Sequence, residues 1–412
     1  MTLVQNRLLP LSGNKWIIAG ITGLLLTACS PKIRPVARPV KPAGAIPKTI
    51  PLVKPAVAAA PQTEVISLLL PFYLDLLNLD HGAGAAGLER ADLAVEYYQG
   101  FKLALDSLTG RGLNFKLQVY DTKDEVVQSR VLAVNPKVRT SNVIIGPVYP
   151  DGLKSFATGF GELKKMMVSP LSPAAPAGYK NPNLITVIPP LEYHARRVAA
   201  YISQLKAKKV FVLRSGFSEE TKYTVPFKKA MDNNSKNQVH VITTTILHGN
   251  LTSLLPQLSK TEPNVFVIPA TDQQFLQVTI TSLENLAKQY PVIVFGHPNW
   301  EKMTFLRAEQ LQKLNTFITS TDHVDYRSAR VVKFVKDYRK AYHAEPSEFA
   351  FKGYDEGMYF GGMSAGDASN FKLQDFSGLH NDFHFVYVNG TGWINTHVNL
   401  LKYANFDLKP VE

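Results

Sequence analysis

Residues 64–412 alternate between two apolar rhythms. "VISLLLPF" (65–72), "FKLQVYD" (115–121) and "NVIIGP" (142–147) have the length and composition of strands in a covered sheet. Between them Leu93, Tyr97, Ala104, Leu105 and Leu108 recur at helical spacing over 93–108, and a second helical stretch runs to about Val134. The later half repeats the rhythm. "LEYHARRVAAYISQL" (191–205) predicts a helix with Ala195, Val198, Ala199 and Ile202 inward; "KVFVLRS" (209–215), "VHVITTTIL" (239–247), "NVFVIPA" (264–270) and "PVIVFG" (291–296) predict strands. Helices are expected over 221–231 and 273–289, then "TFITS" (316–320) and a long helix over 328–342. The tail, 382–403, alternates like a hairpin turning at Asn389-Gly390. A β-α-β-α-β order predicts a parallel doubly wound sheet, and this length exceeds what one core usually covers, so two lobes are expected.

The first 63 residues follow neither rhythm. Arg7 and Lys15 precede an apolar stretch, Trp16–Leu26, too short for a permanent span, and "LTAC" closes it at Cys29. Cys29 is the chain's one cysteine, and the stretch resembles the lipobox of bacterial lipoproteins. The resemblance implies a signal peptide over 1–28 and a diacylglyceryl group on Cys29, leaving no thiol for a disulfide. Ser30–Thr63 holds eight prolines, six Lys or Arg and no acidic residue. Such a segment, within 29–63, is a tether; in polyproline II it would reach about 100 Å. It also carries much of the formal charge of +12. Without its six cations and the two of the signal, the remainder is +4, which gives no footprint for nucleic acid.

Gly82-Ala83-Gly84-Ala85-Ala86-Gly87 spells G-x-G-x-x-G, the dinucleotide fingerprint. In that fold the glycines follow the first strand directly, with an acidic residue about 20 positions on. Here eight residues separate Phe72 from His81, which precedes the first glycine, and Asp121 lies 34 residues beyond Gly87, so no dinucleotide cofactor is expected.

Five blocks in order resemble the type I periplasmic binding proteins, the Leu/Ile/Val-binding group of ABC-transporter receptors. They are "ISLLLPF" with "AVEYYQGFKLALDSL", "VIIGPVYP", "MVSPLSPAAP", "NPNLITVIPPLEYHARRVAAYI" and "VKFVKDYRKAYHAEPSEFAFKGYDEGMYF". The resemblance implies an α/β fold of two Rossmann-like doubly wound lobes joined by three crossover strands. The expected division is 64–189 plus 322–378 for the N-terminal lobe and 190–321 plus 379–412 for the C-terminal lobe. Function would be capture of a small polar solute by hinge closure, serving an ABC permease.

In that family the loop after the third strand and a serine segment hold a ligand carboxylate. Carried over, these are Tyr149, with prolines beside it, and Ser169 and Ser172. Asp272 and Glu309 are the second-lobe carboxylates that could meet an ammonium. Phe72, Tyr73, Tyr193, Ser215, Phe217, His297, Trp300 and Ser320 stand at expected strand ends. Tyr354 and Asp355 match the family's Gly-Tyr-Asp helix start, where Asp355 is also a natural cap.

Catalytic signals are absent: no His-Glu-x-x-His, no Gly-x-Ser-x-Gly elbow, no phosphate loop. Neither enzyme chemistry nor a metal is expected. A rival reading exists within the fold, since some outer-membrane lipoproteins of this type activate peptidoglycan synthases by protein contact. Ser30 after Cys29 is not an inner-membrane retention aspartate, so the expected location is periplasm-facing, with the outer membrane favoured over the inner.

Overall fold

The computed structural model describes residues 63–75, 85–160, 165–173, 178–179, 181–205, 207–236, 238–364, 373–389 and 391–411. The signal peptide, Cys29, the tether and Gly82–Gly84 lie outside these residues. Ala59–Glu412 is one compact unit.

The unit contains two seven-stranded sheets. In the first, β1 (Thr63–Leu70) pairs in parallel with β2 (Asn114–Asp121) and β3 (Val143–Ile145), and β4 (Met166–Ser169) and β5 (Leu184–Thr186) continue the parallel order. The second repeats this with β6 (Lys209–Arg214), β7 (His240–Thr245), β8 (Asn264–Ile268), β9 (Val292–Gly296) and β10 (Thr316–Ser320). The core orders β2-β1-β3-β4-β5 and β7-β6-β8-β9-β10 are the same winding made twice.

Each sheet is buried on both faces, which is why its strands read as continuous apolar runs. Ile66, Leu68 and Leu70 turn to one core with α1 (Ala85–Thr109) and α10 (Glu348–Ser364). Leu69 turns to the other, with α2 (Val126–Val134), α3 (Pro136–Arg139) and α4 (Pro150–Phe160). In the second sheet Val210 and Val212 face α5 (Leu191–Gln204) and α6 (Thr221–Ser235). Phe211 and Leu213 face α7 (Gln273–Leu286) and α8 (Ala308–Lys313). The helix α9 (Ala329–Tyr342) packs beside α10 through Phe334 and Phe351.

The chain crosses between sheets three times, over 187–190, 321–328 and 396–398. Two short strands, β11 (Phe376–Ser377) and β12 (Asp382–Phe383), form a small ribbon before the last crossing. The tail serves both sheets. β13 (Phe385–Val388) and β14 (Gly392–Asn395) form an antiparallel hairpin, and β14 pairs with β5. β15 (Asn399–Ala404) and β16 (Asp407–Pro410) extend the second sheet from β10. The expected C-terminal lobe of 379–412 therefore differs from the pairing observed: its hairpin belongs to the first sheet, and the third crossing lies at 396–398. Alternation predicted the hairpin, but alternation does not say which edge a hairpin joins.

Two helix starts also move. α1 begins at Ala85, well before Leu93, so Ala85–Gly87, the last three residues of the glycine motif, are helical. α10 begins at Glu348, so Tyr354 and Asp355 lie inside it and Asp355 is not its cap. α1 and α10 cross at glycines. A Cβ on Gly100 would sit 1.9 Å from the Ala350 carbonyl oxygen, and one on Gly353 would sit 2.1 Å from that of Tyr97. Only the missing side chains allow this approach.

Candidate functional site

Parallel α/β sheets gather ligands beyond the carboxyl ends of their strands. At that edge of the first sheet Asp121, at the end of β2, organises the loop after β1. Its Oδ1 accepts from Phe72 N at 2.9 Å, Tyr73 N at 3.2 Å and Lys123 N at 2.8 Å, and its Oδ2 from Leu74 N at 2.9 Å. Four backbone donors on one carboxylate fix the loop while Tyr73 holds a left-handed φ of 53°. Asp121 is thus a brace, a role its sequence position did not disclose.

The brace fixes Tyr73 beside the neighbouring β3–α4 loop, close enough to Tyr149 for the two phenols to interact electrostatically. Gly146 makes that loop possible: its φ is +97°, and a Cβ there would lie 2.2 Å from Leu69 O. Burial, with Tyr149 and Asp124 adding to it, pushes Tyr73 up to about 12, so its hydroxyl stays protonated. Tyr149 is 36 % exposed. Asp151 stands near enough to Asp124 for its charge to matter: burial first, and then Asp151, raises Asp124 above the usual carboxylate range. Two phenols and two carboxylates therefore share the first-lobe rim. Phe72 is buried behind it, edge-on to Tyr98. Ser169 and Ser172 are buried too, and Ser169 Oγ lies 3.4 Å from Ser172 O, turned into the protein.

The second lobe differs, because most of its candidates are already occupied. Ser215 Oγ donates to Glu220 Oε1 at 2.7 Å, and Ser215 N donates to the same atom at 3.0 Å. Asp272 caps α7, accepting from Phe275 N at 2.7 Å. His297 Nδ1 accepts from Asn299 N at 3.1 Å and caps the 3₁₀ turn Pro298–Lys302; burial pushes His297 down to about 4. Trp300 is 1 % exposed, and its indole donates to Ala270 O at 3.0 Å, so it belongs to the core. Glu309 pairs with Lys313 on α8. Phe217, 61 % exposed beside β6, is open to a ligand. Tyr193 lies half-buried under Arg196, whose guanidinium is 4.9 Å from the ring. Tyr354 packs on Phe334 at 4.7 Å, within the α9–α10 core.

The hinge carries a charge network that residue spacing did not reveal. Lys352 Nζ lies 3.1 Å from Asp322 Oδ2 and 3.1 Å from Glu348 Oε2. His380 Nδ1 is 3.6 Å from Asp322 Oδ1, and Lys302 Nζ, beyond β9, reaches Glu348 Oε1 at 3.3 Å. Ser320 Oγ is 3.1 Å from Glu301 Oε2 and accepts from Asp322 N at 3.1 Å. Donor atoms of Asp322, Glu348 and His380 lie within 4.8 Å of one another, a spacing a metal ion could use. Lys352 already supplies the cation there. Burial alone would lower Lys352, but the Asp322 and Glu348 carboxylates outweigh it and hold the ammonium above its ordinary value. Asp355, 1 % exposed, accepts from Leu379, His380 and Asn381 N at 2.7, 2.9 and 3.2 Å, fixing the turn that carries His380.

No protein-family model matches the sequence, and no curated protein matches it. Solved structures do. A putative branched-chain amino acid ABC transporter protein from Rhodospirillum rubrum superposes with a TM-score of 0.60 at 14 % identity, over 85 % of this chain and 100 % of that one. The fold is that of the type I periplasmic binding proteins. An ABC transporter substrate-binding protein from Desulfitobacterium hafniense in complex with Leu gives 0.53 at 16 % identity, over 85 % and 100 %. The C-domain of LpoA from Haemophilus influenzae, a regulator of PBP1A, gives 0.56 at 14 %, over 85 % and 100 %. The type I periplasmic binding fold thus serves solute receptors and a regulator alike, and the chemistry must be argued from the residues. No helix among the described residues is long and apolar enough to cross a membrane.

Proposed function

We propose that the chain is a lipid-anchored, periplasm-facing solute-binding protein that closes its two lobes on a small polar ligand and delivers it to an ABC permease. The braced Tyr73–Tyr149 pair carries this reading. A strained backbone held by four hydrogen bonds to one carboxylate, at the carboxyl edge of a parallel sheet, is the preorganisation a binding rim needs. Phenol hydroxyls can donate to a ligand's oxygens, and Asp124 and Asp151 suit an ammonium. On this reading the amine of an amino acid or short peptide lies on the first lobe, because Asp272 and Glu309 are engaged within the second. Phe217 offers an aromatic face across the cleft.

The test is thermal. Residues 59–412 should melt several degrees higher with some member of an amino-acid and short-peptide library, since a ligand at a hundredfold excess over Kd stabilises by about 2.7 kcal/mol. Tyr149→Phe should shrink that shift. The anchor is tested separately: Cys29→Ala should release the protein from the membrane fraction, and unchanged partitioning would refute it.

A second reading is a lipoprotein regulator of a peptidoglycan synthase, acting by protein contact at the outer membrane. It is supported by the occupied polar groups of the second lobe and by the basic, proline-rich Ser30–Thr63, long enough to hold the lobes well away from a lipid surface. A flat response across the library, together with capture of a purified synthase, would transfer the assignment to it.

A further inference from the structure

Away from the cleft candidates, a cavity of about 440 Å³ lies along the third crossing, lined by Arg197 of α5, His384, His397, Val398, Asn399 and Pro410 among others. Arg197 is half-buried, and among the described residues it makes no hydrogen bond, ion pair or ring contact. Its neighbour Arg196 pairs with Glu192 at 3.6 Å and covers Tyr193. A guanidinium drawn partly out of water without an acceptor is a costly arrangement, and a planar fork of donors matches an oxyanion.

The remaining lining suits the same partner. His384 Nδ1 is 2.7 Å from Asp375 Oδ1, and His397 Nε2 is 3.3 Å from Asn399 Oδ1 and 3.9 Å from Asp382 Oδ2. Asp375 and Asp382 stand beside the imidazoles, but among the described residues no carboxylate lines the cavity. The walls also come from both lobes. Arg197 sits on α5, packed against the second sheet, whereas His384 is held to the first by His384 N donating to Asn395 Oδ1 at 2.9 Å.

We propose that this cavity is a hinge-side binding site for a small oxyanion, with Arg197 as its anchor. A ligand there touches Arg197 on α5 and His384 and Thr396, which flank the β13–β14 hairpin, at once, so its affinity depends on the angle between the lobes. The site stands whatever the cleft binds.

Titrating the chain with inorganic phosphate and, separately, with succinate distinguishes the phosphate and carboxylate sources of this chemistry. Saturable calorimetric binding of either is expected, with the ring resonances of His384 and His397 moving and that of His240, on β7, unmoved. Arg197→Gln should weaken the bound anion at least tenfold, while Arg196→Gln and Tyr149→Phe should not. Should Arg197→Gln fail to fold, the wild-type histidine shifts still decide. No saturable response to either anion, or equal binding by Arg197→Gln, would overturn the proposal.

Discussion

The α1–α10 crossing permits a quantitative test at Gly353. In Gly353→Ala the new Cβ would lie 2.1 Å from Tyr97 O, 2.9 Å from its carbonyl carbon and 3.0 Å from Phe101 N. All three are backbone atoms, so no rotamer can yield. Restoring a carbon contact of about 3.5 Å requires the helices to part by more than 1 Å, and a gap of about 1 Å forfeits roughly half of each dispersion contact across the seam. Overpacking typically costs about 1–3 kcal/mol, and with two helix backbones opposed the upper end applies. Alanine returns about 1 kcal/mol of helix propensity, leaving a net loss of about 2 kcal/mol. The assay is urea unfolding followed by circular dichroism. Gly362 is the internal control: it lies on the same helix, nothing stands within 4 Å of its would-be Cβ, and Gly362→Ala should be neutral or stabilising by up to about 1 kcal/mol. Adding Gly100→Ala to Gly353→Ala should cost less than the two losses summed, because one separation relieves both clashes. A Gly353→Ala protein as stable as the wild type would refute the close-approach argument.

Lys352→Met should destabilise by about 3 kcal/mol, since it strands the Asp322 carboxylate and a partly solvated Glu348; urea midpoints check this, and a loss under about 1 kcal/mol would mean water replaces the ammonium. His297, pushed down to about 4 from 6.5, binds a proton in the unfolded chain before it does in the folded one. Its contribution to stability is therefore lost as pH falls from 6.5 towards 4, at up to about 1.4 kcal/mol per unit. His297→Asn keeps a cap acceptor but removes the titration, so stability should depend less steeply on pH in that window; an unchanged slope counts against the assignment. Asp121→Ala removes the acceptor of four amides, and hydrogen exchange at Phe72–Leu74 should rise at least tenfold if the brace holds the loop.

Much of the fold was legible because burial on both faces leaves a mark that needs no partner information: "VIIG", "VFVIPA" and "PVIVFG" read as strands on their own. Helices over 191–204 and 329–342 were equally plain, since their inward stripes recur at helical spacing. α4 was hidden because "GPVYP" reads as a loop, although Pro150 is well tolerated in a first helical turn. The site was less legible. Asp272 and His297 have the residue types of ligand contacts, and a cap uses the same acceptor, so only coordinates separate the two. Asp121, Glu348 and Lys352 act on groups brought together by the fold, and nothing in their spacing marks them. Their one local sign was charge in or beside an otherwise apolar stretch.

The division of the tail between the two sheets bears on how the molecule is made. A ribosome completes both five-strand cores before the strands at 385–410 emerge, and until then β5 and β10 present bare edges to the surrounding medium. The first sheet is closed only after the core of the second has emerged, and a nascent chain halted before Asn399 would leave the second sheet open.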